Sequence, residues 1–315
     1  MYITTQEIKP SFGRHEKFVF RYGWLKKGVD AIASDPLIFS HDEALVTLGV
    51  GKNMVRSIRH WCLATSIMEE GNGGGRTRDL ELTPLGRRLL TDGGWDPYLE
   101  DAGTLWLIHW LLVTNKSRAL VWNIAYSGFY ESEFTKPQLN SFITRQIDRL
   151  GFTTTDSMVA REVDTFLRTY TTAIARTKAG TIAEESLDCP LAELDIIRAA
   201  PEDGVYRFDI GPKVTLPAPV VGYALLDFFR SLDLPHRTIA VDECIYREGS
   251  PGQVFKLDEN SMVEYLEELE TLTHGALRLQ ESAGLQQVYL HDLPSQDLEP
   301  FALQLLNEYY DRHLD

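Results

Sequence analysis

HDEALVTLGVGKNMVRSIRHWCLATSIMEEGNGGGRTRDLELTPLGRRLL, residues His41–Leu90, is the stretch whose reading decides the fold. Asp42 stands where it can cap a short helix, Glu43–Leu48, which Gly49 ends. After Gly49-Val50-Gly51, apolar Met54, Val55, Ile58, Trp61, Cys62 and Ile67 recur with helical period and predict a helix over Lys52–Met68. Lys52, Asn53, Arg56, Arg59 and His60 fall on its other side. GNGGGRTR breaks the pattern with four glycines, and Asp79-Leu80-Glu81-Leu82 alternates as a strand. Thr83-Pro84 then opens a helix as an N-cap followed by proline at the first helical position.

Working outward, Phe20–Ala33 precedes this stretch as a further helix. Short helix, tight turn, longer helix and a two-strand wing with a glycine-rich tip is the order of a winged helix-turn-helix. Such a unit offers one helix narrow enough for the major groove, where base edges are read by donors on one helix face. Lys52, Asn53, Arg56, Arg59 and His60 are the candidate DNA-binding donors, with Arg76 and Arg78 on the wing tip aimed at adjacent phosphates. The alternative is a winged helix used only for protein contacts, its charges a solvated face. Donors gathered toward the start of the third helix favour DNA.

Charge is unevenly distributed along the 315 residues. Residues 1–90 hold 13 Lys and Arg against 10 Asp and Glu, net +3; the other 225 hold 18 against 36, net −18. Two surfaces with different partners follow from that split. The expected fold class is mainly α, in three domains. Residues 1–92 form the winged helix-turn-helix, 93–182 a helical middle, and 183–315 an acidic α+β region. Within the middle, Thr104–Val113 is apolar on nearly every side and reads as a buried helix with His109 inside it. Helices are also expected at Phe134–Leu150 and at Arg161–Thr172, where Asp164 and Arg168 stand four apart and can pair.

From residue 238 a strand, short helix, turn, long helix and hairpin repeat the winged-helix order. The helix in the reading position carries Asp258, Glu259, Glu264, Glu267, Glu268 and Glu270. Phosphates would be repelled there, so this second unit is expected to face protein.

No apolar run is long enough for a bilayer, the N-terminus has no signal-peptide core, and Cys62, Cys189 and Cys244 are too far apart for a disulfide framework or metal knuckle. A cytoplasmic protein is expected. No Walker loop, dinucleotide fingerprint or nucleophile elbow occurs. Metal-dependent phosphodiester cleavage needs two or three carboxylates on a divalent ion, often with a lysine nearby. Asp242, Glu243 and Lys256 come nearest to that set, and Mg²⁺ or Mn²⁺ would be the cofactor. Their spacing departs from a restriction-type pattern, and the plainer reading makes Asp242 a helix cap and Lys256 surface charge.

Five blocks carry a resemblance: FGRHEKFVFRYGWLKKG (Phe12–Gly28), LGVGKNMVRSIRHWCLAT (Leu48–Thr65), GWDPYLEDAGTLWLIHWLL (Gly94–Leu112), ESLDCPLAEL (Glu185–Leu194) and GSPGQVFKLDE (Gly249–Glu259). Together they resemble the SspB family of bacterial single-strand DNA phosphorothioation and defence operons, over residues 12 to 290. The resemblance implies a DNA-binding component acting beside a cysteine desulfurase, an ATPase and a sulfur-transfer enzyme, and nicking one strand so that sulfur can enter the backbone. A transcriptional regulator, as a homodimer on its operator, and a non-catalytic scaffold are the alternatives.

Overall fold

A computed structural model of the protein describes residues 8–71, 79–172, 189–200, 202, 204–232, 238–282, 284–291 and 298–312. Helices dominate, with three small antiparallel sheets. The chain groups into two compact units, Lys9–Ala125 with Glu133–Phe208 and Tyr126–Ser132 with Asp209–Asp315. This division does not follow the expected boundaries at 92/93 and 182/183: the head and most of the helical middle share one unit.

In that first unit, α1 (Trp24–Ser34) packs with α3 (Lys52–Ala64), and α2 (Ala44–Leu48) leads into α3 through the expected turn. Gly49 ends α2 at φ 64°, a left-handed conformation that costs glycine nothing. The expected cap by Asp42 is not formed: the N-cap position is Glu43, without a side-chain bond.

α3 stops at Ala64, four residues before the periodicity suggests. Ser66 turns left-handed, the Thr65 hydroxyl donates to the Trp61 carbonyl at 2.8 Å, and Ile67 N–H closes on the Cys62 carbonyl at 3.0 Å. Met68 therefore enters a strand, β1 (Met68–Glu70), which pairs with β2 (Leu80–Leu82) in the register Met68 to Leu82. The next helix, α4 (Pro84–Leu90), starts as its sequence indicates, the Thr83 hydroxyl accepting from Gly86 N–H at 3.0 Å.

α5 (Ala102–Thr114) is capped by Asp101 and is buried on all sides from Gly103 to Val113. His109 inside it is fully buried, its Nδ1 2.8 Å from the Tyr170 hydroxyl. α6 (Leu120–Ser127), α7 (Lys136–Arg149) and α8 (Asp156–Tyr170) follow, the last opening five residues earlier than expected because Thr155 caps it. Asp164 and Arg168 do not pair. Asp164 takes Lys136 at 2.6 Å, and Arg168 donates to the Lys17 carbonyl at 3.2 Å. Three short strands interrupt the helices: β3 (Glu133–Thr135), β4 (Ile197–Ala199) and β5 (Val205–Phe208), in the order β3-β5-β4.

The second unit contains α9 (Ala218–Leu232), β6 (Thr238–Ala240), α10 (Val241–Tyr246), α11 (Pro251–Phe255), α12 (Glu259–Leu272), β7 (Leu277–Ser282), β8 (Leu285–Leu290) and α13 (Leu298–Asp311). α13 lies along α9, and β8 sits between β6 and β7. α12 buries Met262, Leu266 and Leu269 and leaves Glu259, Glu264, Glu267 and Glu268 exposed. Among the described residues, no helix is long and apolar enough to cross a membrane.

Candidate nucleic-acid interface

One face of α3 is sealed. Val55, Ile58, Trp61 and Cys62 are buried, and Trp61 donates its indole N–H to the Phe18 carbonyl at 3.1 Å. That anchor fixes the rotation of the helix, so the opposite stripe must face out. Lys52, Asn53 and Arg56 are exposed and Arg59 is half-buried. Lys52, Arg56 and Arg59 recur at i, i+4 and i+7, which stacks them along one side over about 10 Å of helix axis. No acidic residue occupies the first turn and no side chain caps it, so Lys52 stands beside uncapped backbone N–H groups. A cation there is poorly placed for the helix dipole. An external anion would offset that cost.

The fifth donor expected on this stripe is not on it. His60 is buried beside the rings of His15 and Trp61, with centroids 5.8 and 5.2 Å away. Burial, and then the charges of His15, Arg118, Arg14 and Arg59, hold its pKa well below the usual histidine value, so the ring is neutral. The periodicity misplaced it because the buried arc of the helix is wider than the apolar residues show: Ser57 and Ala64, its neighbours at i−3 and i+4, are buried too. Arg76 and Arg78 lie outside the described residues.

Two carboxylates attend the stripe. Glu16 approaches Arg56 at 3.4 Å, and Glu70, the last residue of β1, takes Arg59 Nη2 at 3.0 Å. The same Glu70 oxygen takes a second guanidinium at 3.0 Å, that of Arg118. Burial works to raise the Glu70 pKa, but the two arginines outweigh it and hold the carboxyl below its usual range. Arg118 carried no signal in its local sequence. It reaches α3 because Asn115 donates to the Leu63 and Ala64 carbonyls at 3.0 and 3.1 Å, tying the α5–α6 connection to the end of that helix.

The weak catalytic candidates are not drawn together. Asp242 is exposed in the first turn of α10, whose N-cap is Ala240, so it does not cap that helix. Glu243 pairs along the helix with Arg247 at 2.6 Å. Lys256 is not surface charge: it is buried, its ammonium donating to the Tyr126 carbonyl at 2.8 Å and lying 5.5 Å from the Tyr126 ring centroid. Burial lowers its pKa to about 7. Among the described residues no group of three or more His, Cys, Asp or Glu is placed to hold a metal ion.

Comparison with solved structures finds two SspB crystal structures, one of them described as magnesium ion-bound. The magnesium-bound structure is 31% identical with a TM-score of 0.88, covering 99% of this chain and 91% of that one. The other is 30% identical with a TM-score of 0.87, covering 98% of this chain and 90% of that one. Comparison with curated proteins finds no match. Residues 12–310 match the family described as "Protein of unknown function (DUF4007)". With the family match running nearly end to end, this chain belongs to the DUF4007 family, and it is similar in both sequence and fold to two SspB crystal structures.

Proposed function

We propose that this protein is the DNA-binding component of a bacterial DNA phosphorothioation system, holding duplex DNA with α3 in the major groove. The carrying observation is the outward stripe of Lys52, Arg56 and Arg59 on a helix whose other face is locked by Trp61. The order α1, α2, α3, β1, β2 is that of a winged helix, with α3 as its reading helix. In the second unit α10, α11, α12, β7 and β8 follow a similar order of helices and hairpin, with an added strand, β6, paired to β8. There the corresponding helix, α12, is acidic and would repel a phosphate backbone. Only the first unit is therefore assigned to DNA, and the acidic α12 face is assigned to the protein partners of the system.

Strand nicking is not built into this reading. Asp242, Glu243 and Lys256 lie in three different environments, and no step is derived from them.

The test is duplex binding by the folded variant carrying Lys52→Ala, Arg56→Ala and Arg59→Ala. Losing three contacts of about 1 kcal/mol or more each lowers affinity on the order of a hundredfold at moderate salt and flattens the salt dependence. Unchanged affinity and slope would overturn the assignment. Supercoiled plasmid with Mg²⁺ or Mn²⁺ is the companion assay: relaxation that EDTA prevents would show divalent-metal-dependent nicking.

A further inference from the structure

The arginines at the far end of the α3 stripe come from different parts of the chain yet share one acceptor. Arg59 projects from α3, Arg118 from the connection between α5 and α6, and each places Nη2 3.0 Å from the same Glu70 oxygen. The three side chains are 33%, 28% and 22% exposed, so an incoming group can reach them. Among the described residues, two guanidinia converge on that one carboxylate oxygen. The position of Arg118 is rigid: Asn115 is bonded to the Leu63 and Ala64 carbonyls and its side-chain oxygen accepts from Arg118 N–H at 3.2 Å. Arg118 thus brings a second guanidinium beside that of Arg59 at the C-terminal end of the stripe.

We propose that Arg59 and Arg118 form a clamp for a phosphate of the DNA backbone, and that Glu70 occupies this clamp in the free protein as an intramolecular competitor. The inference rests on the assignment of α3 to DNA and adds a residue and a regulatory carboxylate to it. Arginine pairs suit phosphate because several N–H groups can address its oxygens at once, which one shared carboxylate oxygen cannot satisfy as well. Displacing Glu70 sets a threshold: loose encounters with DNA do not open the clamp, and a well-seated duplex does. Glu16 beside Arg56 adds a second, weaker screen on the same stripe.

The experiment measures duplex affinity against salt for full-length Glu70→Gln, Arg118→Ala, Arg118→Lys and the double variant Glu70→Gln with Arg118→Ala, each checked for an intact melting transition. Glu70→Gln tightens binding roughly tenfold and steepens the salt slope by about one ion, because the clamp no longer needs to be vacated. Arg118→Ala weakens binding roughly tenfold on every duplex sequence and lowers the slope by about one, as loss of a backbone contact does. Arg118→Lys falls between, and the double variant loses the gain of Glu70→Gln.

Affinity that does not rise in folded Glu70→Gln overturns the competitor role, and affinity that does not fall in Arg118→Ala overturns the clamp. Lys52→Ala with Arg56→Ala serves as the control. If that pair weakens binding while the Arg118 and Glu70 variants do not, the clamp fails and the α3 assignment stands. If neither set responds, the α3 assignment itself fails. Inorganic phosphate, at ionic strength matched with chloride, separates the two phosphate sources. Phosphate that raises the melting temperature of Glu70→Gln, with DNA affinity indifferent to Arg118, would make this a free-phosphate site and overturn the proposal.

Discussion

The imidazoles of His15 and His60 meet in a T-shaped arrangement, 5.8 Å between centroids, on the buried side of the helix whose outer side carries the cationic stripe. His15 also stands 3.2 Å from Glu162 of α8, and the Ser57 hydroxyl of α3 donates to the His15 carbonyl at 3.0 Å. The loop around His15 therefore joins α3 to α8 in one buried polar cluster. His60 Nε2 meets no hydrogen-bond partner among the described residues, which leaves its neutral form undemanding and its charged form costly.

That arrangement sets a pH dependence. His60 has its folded pKa below the unfolded value, so the unfolded chain binds more protons at low pH. The contribution is fully present above about pH 6.5 and is lost as pH falls below it, at a rate of up to ~1.4 kcal/mol per pH unit. Urea midpoints measured from pH 7.5 to 5 should fall more steeply for the wild type than for His60→Gln. Parallel curves would show that His60 does not titrate on unfolding.

Trp61 is the pivot of the first unit. It is fully buried, hydrogen-bonded to the Phe18 carbonyl, and packed against Phe20 and Trp122 at centroid distances of 5.7 and 5.8 Å. Trp61→Ala should cost ~3–5 kcal/mol as a large-to-small core change. Chemical denaturation reads this directly, and a variant that keeps the wild-type midpoint would mean the α3 register is wrong.

Gly86 tolerates no side chain. A Cβ at this position would lie 2.1 Å from the Ile67 carbonyl oxygen, a backbone atom held by the Thr83 N–H at 3.1 Å. In an exposed helix, alanine would be favoured over glycine by propensity. Here the clash reverses the sign, and Gly86→Ala should destabilise by about 2 kcal/mol or more. Equal or higher stability of the variant would show that α4 can shift away from β1.

Lys256 gives the second unit a pH dependence of the same sign as His60's, in a higher pH window. Its folded pKa of about 7 lies below the unfolded value near 10.5, so stability rises with pH between those limits, by at most ~1.4 kcal/mol per unit. Cys62 and Cys244, pushed up to about 12 by burial, work against this rise at alkaline pH. The informative quantity is therefore the difference between wild type and Lys256→Met from pH 7 to 9. That difference should move in favour of the wild type as pH rises, and a constant difference would refute the burial cost.

Local chemistry made much of the fold legible. Thr83-Pro84 opens α4 where its capping pattern says it should, and Gly49 ends α2. The same pattern at Ser250-Pro251 opens α11, with the Ser250 hydroxyl accepting from Gln253 N–H at 3.3 Å. Reading only a turn between the short and the long helix passes over that signal. β3 was not legible at all: it is three residues long, and its partner β5 lies some seventy residues on, at a register of Glu133 to Arg207. A strand that short takes its identity from a distant neighbour.

Sequence alone determined the alternation of helices and turns, the outward set of Lys52, Arg56 and Arg59, and the split between a mildly basic head and an acidic body. These depend on periodicity, capping and charge, which act within a few residues. Tertiary structure decided which charges are available. Lys26 and Lys27 are adjacent, yet Lys26 is buried and paired with the exposed carboxylates of Asp30 and Asp92, while Lys27 stays exposed and donates to the Leu48 carbonyl at 3.2 Å. His60 went in with Trp61, Lys256 went in under Tyr126, and Arg118 arrived at the end of α3 from more than fifty positions away. Burial and long-range pairing fix whether a polar group meets solvent, and neither is encoded by the residues on either side of it.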